Sequence, residues 1–193
     1  MFLDVGCSSG SVLQIAKQCG FNIHGVEPAA KAAETARRVE EAKVFTGFLH
    51  EAAYPDNHFD IITLFEVIEH LTDPINLISE IRRILKPGGV LLIGTGNAGS
   101  WTVKALGNKW EYFDIKRHGG HISFFTPKSM SLLAQKSGLE LAAVHTKRVN
   151  LGEKKDVSRL FYQFNRVMRE LLALPARWFN RGHDMLVVLR KPE

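Results

Sequence analysis

The chemistry-bearing residues of this chain begin at its start. Asp4 precedes Gly6-Cys7-Ser8-Ser9-Gly10, and a second carboxylate, Glu27, follows the apolar run Phe21 to Val26. Two glycines bracketing two serines let the backbone bend tightly and lie close to a ligand. A carboxylate at the tip of the neighbouring strand can accept hydrogen bonds from both hydroxyls of a ribose. Together they are suited to an adenosine-type ligand. A dinucleotide turn wants glycine at positions 6, 8 and 11, where this chain has Gly6, Ser8 and Ser11, so only the first position fits.

Such residues need elements to hold them. Phe2 to Val5 reads as a short strand running into the turn, and Val12 to Cys19 as a helix stopped by Gly20. The positive end of that helix then faces the ligand. Ala29 to Glu41 is alanine-rich and reads as a helix, and Lys43 to Thr46 as a third strand. Phe59 to Phe65 is nearly all apolar, as a central parallel strand buried on both faces would be. Asp73 caps a helix with Pro74 in its first position and Ile75, Ile78, Ile81 and Leu85 as its apolar stripe. Lys86 to Gly89 ends it, and Val90 to Thr95 is strand five. Regular periodicity is then lost from Gly96 to Phe125, which holds Trp101, Trp110, Tyr112, Phe113, His118 and His121. A loop of that length in a compact domain is usually functional, and its aromatics suit a substrate cavity. Pro127 to Ser137 reads as a helix and Leu139 to Val149 as strand six. Asp156 to Leu172 has apolar residues at helical spacing (Val157, Leu160, Phe161, Phe164, Val167, Met168, Leu171) with Arg159, Arg166 and Arg169 outside. This amphipathic basic helix is expected to cover the sheet or meet a second copy, with an anionic membrane surface as the other reading. Met185 to Leu189 is the last strand.

With 193 residues, 45% of them hydrophobic, the chain suffices for one compact domain with a real core. Its net charge of +5 is too mild to argue by itself for nucleic acid. Cys7 and Cys19 are too few for a disulfide framework, and Cys7 is expected to pack in the turn. Without a long apolar run or a signal peptide, the expected location is cytoplasmic.

LDVGCSSG at the start, GVEP at 25–28, YPDNHFDIITLFEVIEHLTDP at 54–74 and LKPGGVLLIGTGN at 85–97 resemble a class I S-adenosylmethionine-dependent methyltransferase. The similarity is greatest to the type 23 branch, which resembles ubiquinone-biosynthesis O-methyltransferases. WEYFDIKRHGGHISFFTPKSM carries that branch's tryptophan followed by His-x-x-aromatic-aromatic, with His121 as the matched histidine. The resemblance implies an α/β, doubly wound, mostly parallel seven-stranded sheet of order 3-2-1-4-5-7-6 with the last strand antiparallel. It implies one domain over residues 1–193, with a substrate loop at 96–125 and an amphipathic helical insertion at 156–181. The family usually places one or two helices before the first strand, and this chain opens on that strand, so it is expected to be truncated. The implied cofactor is S-adenosyl-L-methionine, leaving as S-adenosyl-L-homocysteine. Asp4, Gly6, Cys7, Ser8, Gly10, Glu27 and Pro28 would bind it, with adenine sandwiched between Phe48 and Leu49 on one side and Pro28 on the other, and Phe65, Glu66 and Val67 beside the methionine moiety.

Methyl transfer to oxygen needs alignment of the acceptor in a dry pocket and removal of its proton. Histidine suits proton removal because it titrates near neutrality. His70, at the tip of strand four, and His121, in the aromatic loop, are the expected catalytic residues, with His118 a third candidate. Asp114, His118 and His121 have the types for a two-histidine, one-carboxylate metal site, but the spacing is unspecific and no metal is expected. Phe65-Glu66-Val67-Ile68 differs from the Pro-Pro-aromatic motif of enzymes that methylate bases or protein amides. A small or lipid-like acceptor, methylated on oxygen, is therefore expected, without nucleic acid as a partner. Rival readings are a nicotinamide reductase, which fails on the glycine spacing and lacks a Tyr-x-x-x-Lys pair, and a cofactor-binding module that has lost catalysis.

Overall fold

The computed structural model describes residues 1–114, 120–151 and 159–193. Seven strands form one sheet in the order β3-β2-β1-β4-β5-β7-β6. They are β1 (Phe2–Val5), β2 (Ile23–Glu27), β3 (Lys43–Thr46), β4 (Phe59–Phe65), β5 (Leu85–Gly96), β6 (Glu140–Lys147) and β7 (Asp184–Arg190). The first five run parallel, and β7 enters antiparallel between β5 and β6. The expected α/β doubly wound order is therefore observed. Strand order reverses between β1 and β4, and a crevice at the carboxyl ends of the strands follows from that reversal.

Helices α1 (Ser11–Gln18), α2 (Ala30–Ala36), α3 (Pro74–Ile84), α4 (Trp101–Leu106), α5 (Pro127–Lys136) and α6 (Arg159–Trp178) cover the sheet and its loops. The larger core cluster joins Leu3, Ile62, Leu64 and Ile93 of the sheet to Ile78 and Ile81 of α3 and Met130 of α5. A smaller one joins Phe2 and Ile23 to Leu13 and Ala16 of α1 on the other face. Both faces of β1 and β4 are thus filled, which is why their sequences are apolar almost throughout.

Several boundaries differ from the sequence reading. The helix expected to reach Glu41 stops at Ala36, after which Arg38 and Val39 donate three residues back and the chain tightens toward β3. Asp73 does cap α3, accepting from the Asn76 amide at 3.1 Å. Its expected stripe is only partly right: Ile75 is exposed, Ile84 is buried, and Leu85 opens β5 by pairing with Phe59. The irregular stretch 96–125 contains α4 and two 3₁₀ turns, Gly107–Lys109 and Glu111–Phe113. Of the basic helix, residues 156–158 lie outside the described residues, and its end is Trp178 rather than Leu172 because Pro175 is accommodated inside it. Val167 and Leu171, expected on a covering face, point into solvent.

Candidate active site

Glu27 ends β2 with both carboxylate oxygens held. Oε2 accepts from the Ser8 amide and Oε1 from the Ala29 amide, each at 2.9 Å. The first bond ties the glycine turn to the second strand, and together they fix the carboxylate at the sheet edge. Ser8 itself adopts φ 45°, a conformation that L residues rarely take. Gly6 has φ +77°, and a Cβ there would lie 2.4 Å from Val67 Cγ2, so glycine lets the ends of β1 and β4 approach.

A cavity of about 670 Å³ opens beside these groups, bounded by β1, β2 and β4. Of the expected cofactor residues, Gly6, Ser8, Glu27, Pro28, Phe48, Leu49, Phe65, Glu66 and Val67 all line it. Leu49 is also a core residue, whereas Phe48 is 59% exposed over the cavity. Asp4, Cys7 and Gly10 are not in its wall. Asp4 is buried and accepts from Thr63 Oγ1 at 2.6 Å, and burial is the main cause that pushes its pKa up to about 6. Cys7 packs against Gly25 and Leu13, and its thiol is pushed up to about 12, chiefly by burial. Gly10 caps α1 in the left-handed region and fits against Ala36 and Val39. These three support the turn from behind, as the short spacing between strand and helix requires.

Strand β4 ends at Glu66, held at φ 53°. Left-handed backbone in a non-glycine residue costs energy and tends to mark functional sites. Tyr112 Oη donates to Glu66 Oε2 at 2.9 Å. Burial and the neighbouring Glu69 charge nevertheless push the Glu66 carboxyl up to about 7. Glu69, three residues on, is buried beside Glu66 and Thr95, and among the described residues its oxygens accept no well-formed hydrogen bond. Burial raises its pKa. The Glu69 carbonyl accepts from the Ile122 and Ser123 amides at 2.9 and 3.0 Å, anchoring the loop that carries His121.

The two expected catalytic histidines come together. The His70 and His121 ring centroids are 4.7 Å apart. His70 lines the cavity; His121 is buried behind it, with Nδ1 3.2 Å from the Tyr112 carbonyl oxygen. His118 lies outside the described residues, and with it the expected Asp114-His118-His121 grouping. A different set is assembled: Glu66, Glu69 and His121 offer one ligand atom each, all within 4.8 Å of one another. The chemistry of that set suits a divalent cation. Sequence reasoning passed over Glu69, although the Glu66-x-x-Glu69 spacing was there to read.

Glu66 also lines a second cavity of about 640 Å³, walled by Glu111, Tyr112, Arg148, His183 and Asp184 among others. Of the aromatics expected to wall a substrate site, Tyr112 lines this cavity. Trp110 is 1% exposed and supports the wall from behind, stacking on Tyr112 at 4.9 Å and donating through Nε1 to His183 Nδ1 at 3.3 Å. His183 Nε2 lies 3.1 Å from Glu111 Oε1, so this wall is bonded throughout. It draws on β7 and on the chain after β6, positions that no local sequence pattern connects.

A profile of the methyltransferase domain family matches residues 1–144. The chain belongs to this family, the class I S-adenosylmethionine-dependent methyltransferases. Among curated proteins, the chain is 28% identical over 149 residues to the ubiquinone biosynthesis O-methyltransferase of Thiobacillus denitrificans, an alignment covering 72% of this chain and 63% of that protein, so it spans less than two thirds of that relative's length. The counterpart from Nitrosospira multiformis is 26% identical over 175 residues, covering 81% and 72%. Among solved structures, an S-adenosylmethionine-dependent methyltransferase from Thermotoga maritima superposes with a TM-score of 0.68 at 21% identity, covering 98% of this chain and 81% of that one. The family profile ends before α6 and β7, so the second cavity is built largely by parts outside it.

Proposed function

We propose that this methyltransferase transfers a methyl group from S-adenosylmethionine to an oxygen of a small or lipid-like acceptor in the cytoplasm. One observation carries the reading: Glu66 lines both cavities, so a ligand in the first and an acceptor in the second would meet at its carboxylate. The first cavity suits the cofactor by its lining, with the pinned Glu27 to accept from ribose hydroxyls and Pro28 and Phe48 as apolar walls for a base. Its size is also that of an ordinary small-molecule site. The ubiquinone biosynthesis names of the relatives favour oxygen as the methylated atom.

S-adenosylmethionine, when bound, supplies a methyl group on a sulfonium that is already a good leaving group. The chain then has two tasks, to orient the acceptor hydroxyl and to take its proton. A carboxyl raised to about 7 can accept a proton near neutral pH, and Tyr112 holds Oε2 of Glu66 in place. His70 stands in the same cavity wall as the neighbouring base, and His121 positions it from behind. The test is S-adenosylhomocysteine binding by calorimetry together with turnover of catechol-type and other phenolic acceptors. We expect micromolar binding, and a Glu66→Gln variant that binds the product normally but loses about 100-fold or more in kcat. A Glu66→Gln variant with full activity would remove this role.

A second reading is favoured by the buried Glu69 carboxyl, which offers a ligand atom within 4.8 Å of one from Glu66 and one from His121. Glu66, Glu69 and His121 would hold a divalent cation that polarises the acceptor oxygen. Activity lost on chelation and restored by magnesium or manganese, with Glu69→Gln abolishing metal binding by calorimetry, would favour it. Activity unchanged by chelation would leave Glu66 acting alone.

A further inference from the structure

Helix α6 is turned the wrong way round for a helix that only covers a sheet. Its inward side is marked by Ala176, fully buried, whose carbonyl accepts from Thr146 Oγ1 of β6 at 3.2 Å. At about 100° per residue, Val167, Leu171, Leu174 and Trp178 fall within an arc of about 60° on the opposite side. They are 58%, 64%, 61% and 76% exposed, and Phe179, at 67%, extends the stripe past the helix end toward the ring of Trp101 at 6.5 Å. An outward apolar stripe of this extent on a soluble surface marks an interaction face.

The charge around it selects the partner. Residues 159–181 contain five arginines against one glutamate, which is most of the chain's net charge of +5. Arg166 and Arg177 are exposed along one flank of the stripe, and Arg181 is exposed just beyond Phe179. Leucine, tryptophan and phenylalanine on one face, with arginines beside them, suit the boundary between headgroups and acyl chains of an anionic bilayer. A second copy fits less well. An antiparallel two-fold packing of stripe on stripe would bring the arginine flank against itself, and like charges so placed are costly.

We propose that α6 docks this methyltransferase on anionic membrane surfaces, its apolar stripe entering the interface and its flanking arginines meeting lipid phosphates. No helix among the described residues is long and apolar enough to cross a membrane, so the contact is peripheral. Arg169, Glu170 and Ala173 of the same helix line the second cavity. Docking therefore sets that cavity beside the bilayer. The inference stands on the helix alone and does not depend on the proposed reaction.

The test is co-sedimentation of the full chain with vesicles of phosphatidylcholine alone or of phosphatidylcholine and phosphatidylglycerol in equal parts. We expect binding to the mixed vesicles, weakened by raised salt. A Leu171→Ser/Trp178→Ser variant should lose about tenfold or more in partitioning, because both side chains supply the insertion. An Arg166→Ala/Arg177→Ala variant should lose affinity along with much of its salt dependence. Circular dichroism and S-adenosylhomocysteine binding check that each variant is folded. Equal binding by the Leu171→Ser/Trp178→Ser variant, or no binding by the parent chain, would overturn the proposal. Absent vesicle binding combined with a dimer in light scattering that the same variant abolishes would overturn it in favour of a second copy.

Discussion

The Tyr112 hydroxyl and the Glu66 carboxylate are joined at 2.9 Å exactly where the two cavities share a wall. That bond favours the ionised form of Glu66, against the burial and the Glu69 charge that raise it.

Tyr112→Phe removes the donor and raises the Glu66 pKa further. If ionised Glu66 takes the acceptor proton, the rate rises with pH through its pKa near 7. The rising limb of the kcat/KM profile should then move up by about half a unit to one unit in the variant. S-adenosylhomocysteine affinity should stay within about twofold. An unmoved limb would take Glu66 out of the proton path.

Glu27→Ala leaves the Ser8 and Ala29 amides without their acceptor and also removes the proposed ribose contact. Calorimetry should show S-adenosylhomocysteine binding weakened about 10- to 100-fold, with Glu27→Gln intermediate. NADH should bind neither protein.

Asp4 has its pKa raised from 3.8 to about 6. The folded state therefore holds a proton that the unfolded chain releases between those values, and stability falls as pH rises through that window. Asp4→Asn keeps an acceptor for Thr63 and removes the buried charge. Its denaturation midpoint should be higher than the parent's at pH 8, by the equivalent of about 1–2 kcal/mol, and the two should converge toward pH 4. A less stable variant at pH 8 would show that the charge is needed.

Gly6→Ala meets Val67 Cγ2 and a left-handed backbone at once. It should cost about 2–3 kcal/mol in urea denaturation. Adding Val67→Ala should recover the part due to the clash and leave the backbone part. Complete recovery in the double variant would assign the whole cost to the clash.

Much of this was legible in the sequence because the signals are local. The turn from Gly6 to Gly10, the carboxylate closing β2, the Asp73-Pro74 cap and the apolar run of β4 each declare themselves within a few residues. The strand order was read from family resemblance, since local periodicity carries no pairing information. What stayed hidden depends on distant partners. That Cys7 and Asp4 sit behind the turn follows from their contacts with Gly25 and Thr63. Glu69 gains its meaning only when the loop carrying His121 folds over it. The outward turn of the α6 stripe could not be read from its spacing, because an amphipathic pattern says which residues share a face and not which way the face points.

The placement of β7 has a consequence for how the protein is made. Among the described residues β6 pairs in the sheet with β7 alone, and β7 follows it by way of α6. On the ribosome, the half from β1 to β5 can assemble while β6 waits unpaired, and only the arrival of Asp184–Arg190 lets it join. Two exposed strand edges, those of β5 and β6, are therefore the aggregation risk during synthesis. Loss of the last strand would unseat β6 and the second cavity together, while sparing the turn that holds Glu27.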